Sequence, residues 1–360
     1  VSFYPMSPAT GIMANLAVLS KTFPIIVEQV EDELAAANLI IGAAYAGVRS
    51  MTATSGGGFC LMTEALGLAG ITETPMVVVN SQRPGPATGL ATRTEQADLL
   101  FTIRASQDEF PRIVMAPGTA YETFETMKRA FHLADKYQVP VVVLMDAYLH
   151  DSIYISEHPL KIDDQIDRFI VGDSDIENPE AYERYAYSET GVSPRALPCN
   201  GKALVKVSGN EHTPDGHLTE DADVRVRMVD KRAAKIPNIL NELTPPTGYH
   251  DDADLLLVGW GSSLGAIREG VDILREDGLD IGSLHFNDIW PFPADAVKEL
   301  LDSGKKFIMV ELNSTAQLGQ LIRQETGLLY NQSILKYDGR PFYPIEIVTE
   351  VKKIVANSKK

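Results

Sequence analysis

Two runs of consecutive apolar residues, Met76-Val77-Val78-Val79 and Pro140-Val141-Val142-Val143-Leu144-Met145, constrain this chain more than any other feature. Neither alternates with polar residues, so the strands they form have no face that can meet water. Strands buried on both faces belong to parallel sheets with helices on each side. The flanking sequence supplies those helices: Glu31 to Gly47, packed with Ala and Leu, and Thr119 to Tyr137. Ile25-Ile26-Val27 and Ser50 to Thr54 read as further short strands, and the triplet Gly56-Gly57-Gly58 ends the second and opens the next helix.

From Ser152 to about Pro237 the periodicity fades into polar, Pro- and Gly-bearing sequence, including His212 and His217, which reads as a long excursion over the surface. After Pro245-Pro246-Thr247-Gly248 a second alternation starts: strand Asp254 to Gly259, helix Leu264 to Glu276, strand Ile281 to Phe286, helix Pro293 to Ser303, strand Lys306 to Glu311, helix Ala316 to Thr326. The 360 residues exceed what one core usually holds. The expected organisation is an α/β unit over 1–240, carrying the excursion at about 152–237, and a smaller α/β unit over 248–360.

Asp and Glu number 49 against 32 Lys and Arg, a net charge of −17 that repels phosphate backbones and weighs against nucleic acid as a partner. No apolar run approaches the roughly 20 residues of a membrane span. Cys60 and Cys199 stand alone without a Cys-x-x-Cys pair, so a redox cluster would have to sit on another chain. His132, His150, His158, His212, His217, His250 and His285 show no metal-ligand spacing and are read as non-catalytic. The opening at Val1 carries no basic, apolar-cored leader, which makes a cytoplasmic setting the expectation and a fragment or processed product an open alternative.

Four segments carry chemistry-bearing residues. In Tyr4-Pro5-Met6-Ser7-Pro8 two prolines hold Ser7 on a stiff turn, either as a ligand-donating hydroxyl or as part of a helix-capping turn. Glu28, Glu31, Asp32 and Glu33 crowd a helix start, where anions are favoured. Glu33 differs in being followed by Leu34-Ala35-Ala36-Ala37, small enough for a flat ring or another subunit to come close to a partly desolvated carboxylate. Ala53-Thr54-Ser55-Gly56-Gly57-Gly58-Phe59 is a strand, Gly-rich turn and helix that lacks the lysine of a P-loop, leaving phosphate cradling and close backbone packing both open. Arg83 and Arg93 lie on one loop after a buried strand; they suit an anionic substrate, or else pair with Glu95 or Asp98.

Taken in order and spacing, these segments resemble the alpha subunit of the 2-oxoacid:ferredoxin oxidoreductases, most closely the 2-oxoglutarate or broad 2-oxoacid branch. Besides the four segments, the likeness rests on Thr92-Arg93-Thr94-Glu95-Gln96, Gly191-Val192-Ser193-Pro194-Arg195 and Gly216-His217-Leu218-Thr219-Glu220. It covers essentially the whole chain. The resemblance implies a transketolase-like fold whose first part holds the pyrimidine of thiamine diphosphate. Glu33 falls where a glutamate bonds the aminopyrimidine ring, Ser7 where a threonine commonly donates to substrate, and Arg93, with Arg83 as the weaker match, where the 2-oxo acid carboxylate is bound. Thr54 and Ser55 fall beside the cofactor.

The same resemblance implies a beta subunit with the diphosphate site, Mg2+ and a [4Fe-4S] cluster, a gamma subunit or domain, ferredoxin as electron acceptor, coenzyme A as co-substrate, and a dimer of heteromers. Gly172-Asp173-Ser174 with a lone Asn200 imitates the diphosphate signature without its second asparagine and reads as a decoy. Against a 2-oxoglutarate-oxidising subunit stand a non-catalytic interaction subunit that completes a partner's site, a pyruvate-oxidising member of the same family, and a transketolase-type component that uses no ferredoxin.

Overall fold

The computed structural model describes residues 1–155, 159–162, 165–301 and 304–357. A two-residue parallel ladder joins β1 (Ser2–Phe3) to β2 (Glu28–Gln29). The apolar runs then form β3 (Met51–Thr54), β4 (Met76–Gln82), β5 (Ile113–Met115) and β6 (Pro140–Asp146), mutually parallel, with every residue buried. Their side chains divide by parity, as a period of two requires. Val78, Val114, Val142 and Leu144 pack with Ala36, Ile40 and Phe59 on one face. Val77, Val79, Val141 and Val143 pack with Ala130, Leu133 and Ala134 of helix Ala120–Tyr137 on the other. Each such side chain contributes on the order of 1.5–3 kcal/mol by leaving water.

The second sheet uses β7 (Thr247–Tyr249), β8 (Leu255–Trp260), β9 (Ile281–Phe286), β11 (Lys306–Glu311) and β12 (Gln332–Leu335), ordered β12-β11-β8-β9-β7, with β7 antiparallel. Between β9 and β11 the chain crosses over: β10 (Asp288–Trp290) pairs antiparallel with β5 and closes that edge of the first sheet. The Asp288 carboxylate takes both Arg129 Nη atoms, at 3.0 and 2.6 Å, and the Thr244 amide at 2.7 Å. A polar seam runs beside it. Asn313 Nδ2 donates to the Gln96 carbonyl at 3.0 Å, Gln96 N to the Leu312 carbonyl at 2.8 Å, and the Ser262 hydroxyl to buried Asp146. Fully buried Glu311 receives Trp260 Nε1, Asn313 Nδ2 and the Leu318 and Gly319 amides at 2.9–3.2 Å.

Most expected elements stand within a residue or two of their places, and three differ. The strand expected at Ile25-Ile26-Val27 is not one: the ladder with β1 begins at Glu28, and Ile26 is 79% exposed with no sheet to cover it. The helix expected to reach Ser303 runs Ala294–Leu301, and Ser303, like His158, lies outside the described residues. The excursion is bolted into the core rather than laid over it. Fully buried Glu73 receives Lys231 Nζ and Lys235 Nζ at 2.6 Å each, and its carbonyl receives Arg184 at 2.7 Å. Tyr185 and His212, both 0% exposed, stack at 3.9 Å. Charge does this anchoring, so no apolar period announced it; β5, β10, β12 and helix Pro344–Asn357 are likewise absent from the sequence reading.

Burial alone would raise the Glu73 carboxyl; the charges of Lys235, Lys231 and Arg184 outweigh it and hold the group well below its ordinary 4.5. The folded state then refuses protons that the unfolded state takes. This stabilisation is complete above about pH 4.5 and is lost as pH falls below it. Glu73→Gln is expected to cost about 3–5 kcal/mol at pH 7 by leaving buried ammonium groups without a counter-charge, and to flatten the loss of stability toward acid. Urea titrations at pH 7 and pH 4 check both; equal pH slopes in the two proteins refute the linkage.

Candidate functional site

Asp32 caps helix Glu33–Tyr45, its carboxylate accepting from the Ala35 amide at 2.7 Å. That cap fixes the first turn and sends the neighbouring Glu33 side chain inward, where the residue is 4% exposed. There it meets the Gly-rich turn. A β-carbon added at Gly58 would fall 2.8 Å from Glu33 Oε1 and 2.1 Å from Thr54 Oγ1, so only glycine lets helix, strand end and turn close together. Glu33 Oε1 is buried and finds no hydrogen-bond donor among the described residues. The hydroxyls of Thr52 and Ser55 are buried and unpartnered in the same way, while Thr54 Oγ1 points at Met6 Sδ, 3.9 Å away. Glu33, Thr54 and Ser55 are thus brought to one place, at the carboxyl end of β3.

Ser7 is exposed, and the helix after it is capped at Ala9 without any side-chain bond, so a capping role for the Ser7 hydroxyl is excluded. Its carbonyl accepts Arg83 Nη1 at 2.7 Å. Arg83 therefore ties the loop after β4 to the Ser7 turn, with its Nε buried and unpartnered. Arg93 stands elsewhere, exposed and without an acceptor for its guanidinium among the described residues. It lines a hollow of about 370 Å³ with Thr94, Tyr148, Ser152 and Arg340. Neither arginine forms an ion pair with Glu95 or Asp98, although the charge of Arg83 is felt by Asp98.

Asp98 was not singled out from the sequence. A β-carbon at Gly56 would fall 2.6 Å from its Oδ2, so it packs on the first glycine of the turn as Glu33 packs on the third. Asn80 Nδ2 donates to that oxygen at 3.2 Å, and the Asp98 amide donates to Gln82 Oε1 at 3.0 Å. Burial pushes the Asp98 carboxyl up against the opposing pull of Asn80 and Arg83. Ser81 and His150 Nε2 lie 2.6 Å apart, with burial lowering the imidazole to about 4. The available signal was the tripeptide Asn80-Ser81-Gln82, where an all-apolar strand turns polar at its carboxyl end.

Asp173, in the decoy segment, is spent on its own loop, both carboxylate oxygens accepting the Lys202 amide at 2.9 Å. Among the described residues no three His, Cys, Asp or Glu side chains group closely enough to hold a metal ion, and no helix is long and apolar enough to cross a membrane. What the arrangement offers is a carboxylate oxygen held out of water without a partner, fitted to accept a hydrogen bond from a donor that enters over the turn.

Gly58→Ala is expected to destabilise the fold by about 1–3 kcal/mol through overpacking. Thr54→Ala removes the nearest clash, so the double variant should lose less than the sum of the singles. Urea denaturation of all three checks this; strict additivity would separate the two residues.

Residues 1–231 match the family described as pyruvate flavodoxin/ferredoxin oxidoreductase, thiamine diphosphate-binding, and residues 253–347 match pyruvate:ferredoxin oxidoreductase core domain II. The chain is 40% identical over 378 residues to 2-oxoacid:ferredoxin oxidoreductase 1, subunit alpha, of Sulfurisphaera tokodaii, covering 100% of this chain and 59% of that protein. It is 31% identical over 351 residues to the 2-oxoglutarate synthase subunit KorA of Methanothermobacter marburgensis, covering 97% and 92%. Among solved structures, the 2-oxoglutarate:ferredoxin oxidoreductase of Magnetococcus marinus with 2-oxoglutarate, coenzyme A and succinyl-CoA bound superposes with a TM-score of 0.89 at 33% identity, over 98% of this chain and 61% of that one. A split-gene transketolase at 12% identity and TM-score 0.52 shares the fold. The chain spans 57–59% of the length of the first curated relatives it matches.

Proposed function

The chain belongs to the family of 2-oxoacid:ferredoxin oxidoreductase alpha subunits, and from that premise we propose that it is the pyrimidine-holding part of an enzyme that oxidatively decarboxylates a 2-oxo acid, with 2-oxoglutarate favoured. The products are the acyl-CoA and carbon dioxide, and the pair of electrons released passes to ferredoxin. The observation that carries this is Glu33: a buried carboxylate oxygen with no donor among the described residues, pressed against a glycine that nothing larger can replace.

Those residues fit the cofactor. Bound thiamine diphosphate would supply the nucleophilic carbon and the electron sink for decarboxylation. This chain's own part is to hold a proton at Glu33 Oε1 against a ring nitrogen, with Thr54 and Ser55 lining the same turn. Arg93 grips the carboxylate of the substrate, and Ser7, its turn steadied by Arg83, offers a hydroxyl. A relative named for 2-oxoglutarate and a neighbour that binds it support that substrate.

Apolar side chains stand exposed on the elements around Glu33: Leu34 and Leu39 on its own helix, Leu61 beyond Gly58, and Val18, Leu19 and Phe23 at the end of helix Thr10–Leu19, which buries no residue at all. Such a surface supports a subunit partner that closes the site. A beta-type partner with Mg2+ and a [4Fe-4S] cluster, a gamma-type subunit or domain, assembly as a dimer of heteromers and a cytoplasmic location belong to the same proposal.

The test is coenzyme A-dependent reduction of a low-potential dye by the complex purified with its native partner, comparing 2-oxoglutarate with pyruvate. Reduction supports the proposal and the ratio assigns the acid; no reduction with either, from a cofactor-loaded complex, refutes it. Glu33→Gln is expected to lower turnover at least about 100-fold with the complex still assembled. Arg93→Ala should act mainly on KM, with a loss of about 2–3 kcal/mol in kcat/KM. Steady-state kinetics check both, and unchanged values remove these residues from their roles.

A further inference from the structure

A turn of three glycines has no side chains with which to hold its own shape, so its conformation is fixed by what presses on it. The middle glycine, Gly57, has open space around it, and Gly58 is met by Thr54 and Glu33. On Gly56 the pressing group is Asp98, whose Oδ2 and Oδ1 would lie 2.6 and 3.1 Å from an added β-carbon. Asp98 stands at the N-cap of helix Leu99–Ile103, where an aspartate ordinarily turns back to accept from the helix's own amides. It makes no such bond. Its carboxylate is turned instead to the glycine turn, and its Oδ2 accepts Asn80 Nδ2 at 3.2 Å.

The segment that carries Asp98 is itself held on several sides. Its amide donates to Gln82 Oε1 at 3.0 Å, and Gln317 of the second lobe donates Nε2 to the Ala97 carbonyl at 2.7 Å while its Oε1 accepts the Leu100 amide at 3.0 Å. The Phe101 ring meets Phe59, the residue after Gly58, edge to face at 5.5 Å. Residues 98–101 therefore touch the turn at both of its ends. Asn80 joins the same construction: strand register puts it beside Thr54, on the face where Val78 packs with Ala36 and Phe59. It is fully buried, and with its Nδ2 committed to Asp98 its Oδ1 has no donor among the described residues. We propose that Asp98 is a positioning residue of the thiamine diphosphate site: pressed on Gly56 and bonded to Asn80, it holds the glycine turn in the shape that meets Glu33. This deepens the proposed function and rests on it. It also gives the second lobe, which offered no candidate residue in the sequence, a part in shaping the cofactor's pocket through Gln317.

The test uses the complex with its native partner, stripped of cofactor and titrated calorimetrically with thiamine diphosphate and Mg2+. Asp98→Ala is expected to raise the Kd for thiamine diphosphate at least about ten-fold, the scale on which supporting side chains act on the groups they orient. In the reloaded complex its KM for the 2-oxo acid should stay within about two-fold of the parent value. Asp98→Asn keeps the shape and an acceptor for Asn80, and its Kd should stay within about three-fold of the parent. Because the effect is relayed to Glu33, Asp98→Ala should add less than about three-fold in a Glu33→Gln background. An unchanged Kd, equal losses in Asp98→Ala and Asp98→Asn, strict additivity with Glu33→Gln, or a loss confined to the KM for the 2-oxo acid overturns the inference. Where Asp98→Ala fails to assemble, Gly56→Ala, which disturbs the same contact from the other side, is held to the same loss of affinity. A parent complex that binds no thiamine diphosphate refutes the proposed function and this inference with it; a parent that binds it, with the variants unchanged, refutes the inference alone.

Discussion

Burying both faces of a parallel sheet leaves its strands only one place to become polar, their ends. β3 runs Met51-Thr52-Ala53-Thr54 and then Ser55, β4 ends Asn80-Ser81-Gln82, and β6 ends on Asp146, all at the carboxyl edge. Strand register sets Thr54 beside Asn80 and Gln82 beside Asp146, so one row of polar groups lies along that edge. Glu33 reaches it from the helix that covers β3, Arg83 leaves it from the end of β4, and the second lobe docks on it through Ser262. The hydrophobic requirement of the core therefore concentrates the chemistry along a single line.

The buried carboxylates show what that arrangement demands. Glu311 holds four donors, Asp288 an arginine fork and an amide, and Asp135 three arginines at 2.7–3.3 Å. Leaving a buried acceptor unpaired costs on the order of 1–3 kcal/mol. Elsewhere the chain spends lysines, arginines and helix amides to avoid that cost. Glu33 Oε1 is left without a donor among the described residues, inside a site otherwise packed to the limit of a glycine, which fits a carboxylate whose partner comes from outside.

The sequence was most informative where apolar side chains do the positioning. The helix Leu264–Glu276 and the strands Ile281–Phe286 and Lys306–Glu311 lie where the periodicity put them, and the Gly58 turn was recognisable as a close approach, though what approaches it is the chain's own Glu33 and Thr54. It was silent where charge does the positioning: Lys231 and Lys235 fall in the stretch expected to run over the surface, yet each is nearly wholly buried on Glu73. Asp98 was noticed only as a possible partner for an arginine, because nothing local shows that Gly56 presses on it across more than forty intervening residues. Ser7 and Arg83 were chosen separately, and the hydrogen bond between them depends on a backbone carbonyl, a group that every residue has and no motif displays.

The crossing strand β10 has a consequence for how this gene can be cut. The two segments that match separate families, 1–231 and 253–347, look like modules that recombination could exchange, but residues 288–290 of the second complete the sheet of the first. Severed between them, the first segment would present β5 with its outer row of amides and carbonyls unpaired, a ready template for another chain to pair with and aggregate. A three-residue strand thus ties the two matched segments together structurally, independently of anything the active site requires.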